Sequence, residues 1–480
     1  MIRSLSLGFT AFLLTLASCL SAAAAPRTVF VQLFEWPWND VARECETYLG
    51  PAGFSAVQVS PPHEHIHWQG NPWWERYQVV SYKLESRSGT EAEFADMVRR
   101  CRQAGVDVYA DAILNHMTGI PGGVGSAGTQ FSHYEYPGLY SPQDFHHCGR
   151  NGNNDIRDFR DLYELQNCEL VDLADLKTES TYVQEKQAEY LNRLLDLGVA
   201  GFRIDAAKHI PARDLDQILK RLKRSAYIYS EIIYDPAGPV QYAEYTPFSD
   251  VTAYDYPHRL GYAFKDKNTE ALQFIASGFP NSIDSIVFVT NHDIERTNDY
   301  SVLKYSSPEQ HLYRLAQIFM LAWPFGYPQV YSGFDFNSFD QGPPLNDNLR
   351  TLPILDEQNQ CRAPWTCEHR LPEVAAMVDF RNQTDKAFSV SNWSTHGRDV
   401  ISFARPRFGF VAMNFGGQSV TKEFQTNLPA GEYCNIVDSG YRLKSRSCAK
   451  GFSVNNSGKV RATLAPYSSL VLLVKAQVKK

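Results

Sequence analysis

Beyond its first residues the sequence has no long hydrophobic run, no basic block, no CxxC pair and no low-complexity linker, and each absence removes a class of function. No later segment approaches about 18 uninterrupted apolar residues, so nothing past the N-terminus reads as a membrane span. The 46 Lys and Arg are dispersed among 53 Asp and Glu for a formal net charge of −7. The cationic stripe that a phosphate backbone requires is therefore missing, and nucleic acid is not an expected partner. Without a CxxC pair, or histidines at ligand spacing, a zinc site is a poor reading of the nine cysteines.

What is present is a chain of 480 residues, 44% apolar and 21% charged, long enough for two or three domains around a sizeable core. Eight Trp and 26 Tyr suit stacking on sugar faces, although large cores use the same residues. Residues 1–25 combine a basic start, an apolar run and a small-residue stretch, which reads as a signal peptide and predicts secretion. An alternative reading of Leu16-Ala17-Ser18-Cys19 is a bacterial lipoprotein box, which would anchor the protein through Cys19. Setting Cys19 aside leaves an even number of cysteines bound for an oxidising compartment. Spacing favours the short closures Cys148–Cys168, Cys361–Cys367 and Cys434–Cys448, with Cys45 and Cys101 remaining.

From Thr28 to about Lys386 short β-branched or aromatic runs alternate with amphipathic helical patterns, the signature of parallel βα units. Eight candidate strands (29–34, 56–60, 106–114, 199–205, 227–231, 251–254, 286–291 and 329–332) predict a closed (β/α)8 barrel of the TIM type. Thr90-Glu91-Ala92-Glu93 is a capping box opening a helix whose Phe94, Met97, Val98 and Cys101 share a face and which Gly105 ends. Ser307-Pro308 is expected to start another. Residues 117–174, rich in Gly, Asn, Asp, His and Tyr, break the rhythm and read as an insertion domain after strand three, within a catalytic barrel spanning 26–386. From 387 to 480 alternating runs such as 400–403 and 410–413 predict a C-terminal antiparallel β-sandwich.

In a closed βα barrel the active site lies at the C-terminal ends of the strands, and four candidate strands end in polar clusters: DAILNH (111–116), GFRIDAAKH (201–209), SE (230–231) and NHD (291–293). Any one could be a helix cap or a structural ion pair. Together they bring Asp205, Glu231 and Asp293 to one mouth, which suits glycoside hydrolysis by a nucleophilic carboxylate and a protonated partner. Arg203 lies two residues before Asp205, on the same strand face, and should hold the Asp205 pKa low. Repulsion from two aspartates should raise that of Glu231.

These residues resemble the α-amylase family, and more closely its animal-type branch, through DVYADAILNH, GFRIDAAKH, SEI and FVTNHD, with FEWPWNDVARECETYLGPAGF and NPWWERYQVVSYKLESRSG extending the match. The resemblance implies Asp205 as nucleophile, Glu231 as general acid/base and Asp293 as the third carboxylate. It implies His116 and His292 around the same sugar, Trp74 and Tyr77 as stacking residues, and Arg203, Gln78, Lys208 and His209 also at the substrate. It implies a structural calcium held by the Asn115 and Asp175 side chains and by the backbone carbonyls of Gln166 and His209, all oxygen donors that suit a hard cation. The expected partners are starch, glycogen and malto-oligosaccharides, and the expected state is a monomer.

Two departures stand out. The animal-type chloride site takes two basic residues and an asparagine; Arg203 and Asn291 match, but Gln329 replaces the second base, so little or no chloride dependence is expected. The glycine-rich loop that animal relatives carry after strand seven is absent between Glu295 and Ser307. The competing readings are a glucan transferase or exo-acting α-glucosidase on the same scaffold, since water or a sugar hydroxyl can resolve one covalent intermediate, and a carbohydrate-binding protein that kept the fold without activity.

Overall fold

A computed structural model describes residues 28–442 and 444–478. The signal segment and Cys19 lie outside them. Eight strands form the barrel: β1 (Phe30–Leu33), β2 (Ala56–Val59), β3 (Asp107–Ile113), β4 (Gly201–Asp205), β5 (Tyr227–Ser230), β6 (Asp250–Thr252), β7 (Ser285–Phe288) and β8 (Tyr327–Ser332). Each pairs in parallel with its neighbour in sequence, and β8 closes on β1 through Phe30↔Gln329 to Leu33↔Ser332. All eight expected strands are present, each end falling within three residues of its predicted position.

Alternate residues of each strand face inward, and their chemistry changes with height. At the N-terminal end Phe30, Ala56, Tyr109, Tyr229 and Ile286 form a buried cluster, with Phe30 and Tyr327 ring centroids 4.7 Å apart. Gly201 belongs to this floor, because a Cβ there would meet the Tyr227 carbonyl oxygen at 2.5 Å. One step up lie the buried amides Gln32, Gln58 and Gln329. Above them come Asp111, Arg203 and Asp205, buried and charged. Apolar packing at the floor stabilises a shell that can hold costly charges at the other end.

The helices cover the outside. The capping box at Thr90 forms as expected, with Glu93 N donating to the Thr90 hydroxyl at 3.3 Å, and opens the helix Glu91–Gln103. The helix expected from Ser307-Pro308 begins later, at Gln310. There the Ser307 hydroxyl accepts from Glu309 N in a turn instead of capping the helix. The segment 117–174 carries a hairpin (Gly122–Val124 with Gln130–Ser132) and the short helix Leu162–Asn167. All four expected disulfides are formed, Cys45–Cys101, Cys148–Cys168, Cys361–Cys367 and Cys434–Cys448. No helix among the described residues is long and apolar enough to cross a membrane.

Behind the barrel the eight strands between Ser391 and Gln477 make an antiparallel β-sandwich hydrogen-bonded as one continuous sheet. It passes through the long strand Ser468–Gln477, which pairs with Gly409–Asn414 over its first half and with Gly431–Asn435 over its second. Phe410, Phe424, Val460 and Leu472 fill its interior. The sheet is locked to the barrel by Arg405, fully buried, which donates to the carbonyls of Ala322 at 2.6 Å, Thr384 at 2.8 Å and Ala387 at 2.7 Å. Removing it strips these carbonyls of a charged donor. Arg405→Leu is expected to lower the melting temperature by roughly 5 °C or more; a calorimetric trace superimposable on wild type would show that the contact contributes nothing.

Candidate active site

The C-terminal mouth of the barrel is organised around one cation. Arg203, at the centre of β4, donates from Nη1 to Asp111 Oδ1 at 2.7 Å and Asp205 Oδ1 at 2.8 Å, and its Nη2 forms an ion pair with Glu231 Oε1 at 2.8 Å. Asp205 and Glu231 thus sit on adjacent ends of one planar fork. Their nearest oxygens lie no further apart than the two contacts plus the width of a guanidinium, about 8 Å in all. Glu231 Oε2 accepts from Ala206 N at 2.8 Å. Ala206 has φ 48°, a left-handed conformation costly for a residue with a Cβ, at the bend where β4 ends.

Asp293 follows β7, with Oδ1 3.4 Å from His292 Nε2 and Oδ2 accepting from the Tyr254 hydroxyl at 3.3 Å. The His292 ring lies between Phe34 (4.9 Å, 29°) and Tyr77 (5.2 Å, 9°), and Tyr77 donates its hydroxyl to Asp111 Oδ2 at 3.1 Å. Asn291 supports the turn that carries Asp293. Its Oδ1 accepts from Asp293 N at 3.1 Å and Ile294 N at 3.0 Å, which shapes the turn that presents Asp293.

The remaining expected residues line the rim. Trp74 is half-buried, its Nε1 donating to Asp340 Oδ1 at 2.8 Å, and the adjoining Trp73 Nε1 donates to the Phe339 carbonyl at 2.9 Å. Gln78 Oε1 accepts from Gly119 N at 2.9 Å and ties the insertion to the rim. The His116 Nε2–H is spent on the Tyr77 carbonyl at 3.0 Å. Lys208 is half-buried, and the His209 ring binds the Leu165 carbonyl through Nδ1 at 2.9 Å. Asp111, Tyr254, Asp340, Gln32 and Gln58 were given no role by sequence reasoning, and Gln329 was read only as a missing chloride ligand. For Asp111 the signal was there, because it shares the inward face of β3 with Tyr109.

Three buried acids and the half-buried Asp293 around one guanidinium set the electrostatics. Burial, then the nearby Glu231, pushes Asp293 up to about 8, and burial pushes Asp111 up to about 7. Glu231 is raised as expected, but burial is the leading cause and repulsion from Asp205 the lesser one. The expected low Asp205 pKa is overturned: burial raises it against the pull of Arg203, whose Nη1 Asp205 shares with Asp111. His116 and His292 are held neutral, burial pushing the first down to about 4 and the second well below its ordinary value.

A second cluster joins the insertion to the barrel. Asn115, just past β3, donates from Nδ2 to Asp175 Oδ1 at 3.3 Å, and the helix carrying Gln166 packs on the Ala207–His209 turn. Asp175 Oδ2 also takes a 2.7 Å bond from His146 Nδ1, a partner the sequence did not suggest. One carboxylate, one amide and two backbone carbonyls are oxygen donors of the kind that a hard cation takes. Among the described residues no group of three or more His, Cys, Asp or Glu is placed to hold a metal ion.

A closed parallel barrel that gathers acids at its C-terminal mouth, backed by an all-β domain, has the fold of a barrel-type glycoside hydrolase. The family model described as "Alpha amylase, catalytic domain" matches residues 46–224, and that described as "Alpha amylase, C-terminal all-beta domain" matches 391–475. The "Alpha-amylase-related protein" of Drosophila dossoui is 41% identical, covering 93% of this chain and 95% of its own. That of Drosophila kikkawai matches to the same extent. The crystal structure of alpha-amylase I from the earthworm Eisenia fetida superposes with a TM-score of 0.86 at 35% identity, over 93% of this chain and 97% of its own. A mutant of that enzyme in a maltohexaose complex gives 0.86 at 34%, over 95% and 98%. The chain belongs to the α-amylase family.

The raised acids make stability depend on pH. Asp293, ordinarily near 3.8, keeps its proton in the folded state up to about 8. Between those values the unfolded chain has lost a proton that the folded chain retains, so stability falls as pH rises through the window. Asp293→Asn removes the liability. Its melting temperature should decline less than that of wild type between pH 5 and pH 8, and equal declines would mean that Asp293 ionises normally.

Proposed function

We propose that the protein is a secreted α-amylase that hydrolyses internal α-1,4-glucosidic bonds of starch, glycogen and malto-oligosaccharides with retention of configuration. The observation that carries this reading is the pair of 2.8 Å contacts by which one guanidinium holds both Asp205 and Glu231, a spacing compatible with two-step displacement, where the acids stand roughly 5 to 5.5 Å apart.

In that reading Asp205 Oδ attacks the anomeric carbon while Glu231 protonates the departing glycosidic oxygen; water, deprotonated by Glu231, then releases the sugar from Asp205. Burial raises the Glu231 pKa, which favours the protonated form that the first step uses. Its Oε1 can present that proton only when the Arg203 contact opens, because a guanidinium donates and never accepts. Arg203 is then left to Asp111 and Asp205, which favours the ionised nucleophile at the moment it is needed. Asp293, with Tyr254 and His292 beside it, binds ring hydroxyls of the distorted sugar. Trp74 and Tyr77 supply flat apolar faces for the ring.

Calcium is assigned to Asn115, Asp175 and the carbonyls of Gln166 and His209, where it would supply charge neutralisation for Asp175 and join the insertion, which forms one wall of the cleft, to the loops after β3 and β4. No chloride requirement is assigned. The Arg203 guanidinium already serves three carboxylates, and Gln329 is a neutral amide that donates to Gln32 and Gln58.

A starch digestion series tests the reading. Wild type should give mixed oligosaccharides early, and Asp205→Asn or Glu231→Gln should each lose at least about 100-fold in turnover. Glucose as the sole early product would mean an exo-acting enzyme, lengthened oligosaccharides a transferase, and an unchanged iodine colour with wild type a binding protein. Dialysis into chloride-free buffer should leave activity within about twofold of its starting value, because the second cation of an anion site is missing. A many-fold loss restored by chloride would refute that assignment.

A further inference from the structure

The middle layer of the barrel holds a directed chain of amides between the floor and the acids. Gln329 donates from Nε2 to Gln32 Oε1 at 3.0 Å and to Gln58 Oε1 at 2.9 Å. Both hydrogens of that nitrogen are thereby used. The direction of each amide is fixed from above. Asp111 accepts from Arg203 Nη1 at 2.7 Å, from the Tyr77 hydroxyl at 3.1 Å and from Gln58 Nε2 at 3.4 Å. Turning Gln58 around would set its oxygen against that carboxylate and its nitrogen against Gln329 Nε2, while the Tyr229 hydroxyl, 2.6 Å from Gln58 Oε1, would lose its acceptor. With Gln58 pinned, Gln329 must donate on both sides, Gln32 must accept from it, and the Gln32 nitrogen must face outward.

That nitrogen lies 2.9 Å from His292 Nδ1. A ring nitrogen that accepts carries no proton, and the ring is neutral because burial disfavours its charged form. Its plane is set by the Phe34 and Tyr77 faces on either side. The one remaining proton is on Nε2, the atom 3.4 Å from Asp293 Oδ1. The opposite tautomer would turn a lone pair toward that carboxylate.

We propose that Gln329 and Gln32 are positioning residues that hold His292 in its Nε2–H tautomer, so that the ring offers a hydrogen-bond donor to Asp293 and to the sugar hydroxyl that Asp293 binds. The catalytic consequence rests on the reading of this pocket as the sugar site; the tautomer does not, and is measurable without substrate. Position 329 thus transmits the polarity of the Asp111–Arg203 pair to a residue on the far side of the barrel, through two side chains that touch no substrate.

The experiment is two-bond 15N–1H correlation of the full protein labelled with 15N-histidine, with the His292 resonances identified by their loss in His292→Asn. Wild type is expected to show protonated Nε2 and bare Nδ1. In Gln32→Glu, which keeps the shape but replaces the donor with an acceptor, the proton should appear on Nδ1 or on both nitrogens. The kcat on a malto-oligosaccharide should fall at least about tenfold with KM little changed. Gln329→Met should give a mixture of tautomers. A wild-type His292 protonated at Nδ1 overturns the proposal even if neither variant folds, and so does a Gln32→Glu spectrum identical to wild type. Retained turnover in Asp205→Asn would instead remove the functional reading while leaving the tautomer to the spectrum.

Discussion

One guanidinium organises the mouth of this barrel. Arg203 meets three buried acids directly, and a fourth acid, the half-buried Asp293, is close enough to feel it. Carboxylates brought together without water repel one another and resist ionisation, so without Arg203 the strands that carry them could not converge at this cost. With only one cation the cluster is under-neutralised, and its members keep protons at pH values where isolated carboxyls would have lost them. That same deficit is what a double-displacement mechanism draws on, since it needs an acid that is still an acid near neutrality.

The barrel makes the cluster possible by grading its interior. Aromatic rings fill the N-terminal end, amides the middle and charges the top, each layer able to satisfy the one above it. Amides are suited to the intermediate level because they both donate and accept without bearing charge. Gln58 accepts from Tyr229 on one side and donates to Asp111 on the other, so no buried polar group at this level is stranded between apolar packing and ionic contacts.

Much of this was legible in the sequence. The alternation of β-branched runs with helical periods located all eight strands, and the inward period of two placed Arg203 and Asp205 on one face. Glycine, cysteine and the capping box at Thr90 acted through local chemistry and were readable for that reason. What escaped depends on distance in the chain. That Asp205 must share its cation with Asp111 follows only from the pairing of β3 with β4, and so the sign of its shift was misjudged. Gln32 and Gln58 carry no motif, and Gln329 was noticed only as a missing base; their association appears when three strands set them side by side. His146 lies in an irregular stretch whose fold, not its spelling, brings it to Asp175.

The closure of β8 on β1 has a consequence for the order of events during biosynthesis. Gln32 and Gln329 are 297 positions apart, and the Arg405 side chain that fastens the last helix of the barrel comes later still. A ribosome emitting this chain from its N-terminus releases every acid of the cluster well before the strand that shuts the cylinder around them. Long-range closure of this kind is slow and comes late, so the nascent polypeptide carries these acids dispersed until β8, ending at Ser332 of 480 residues, has been made.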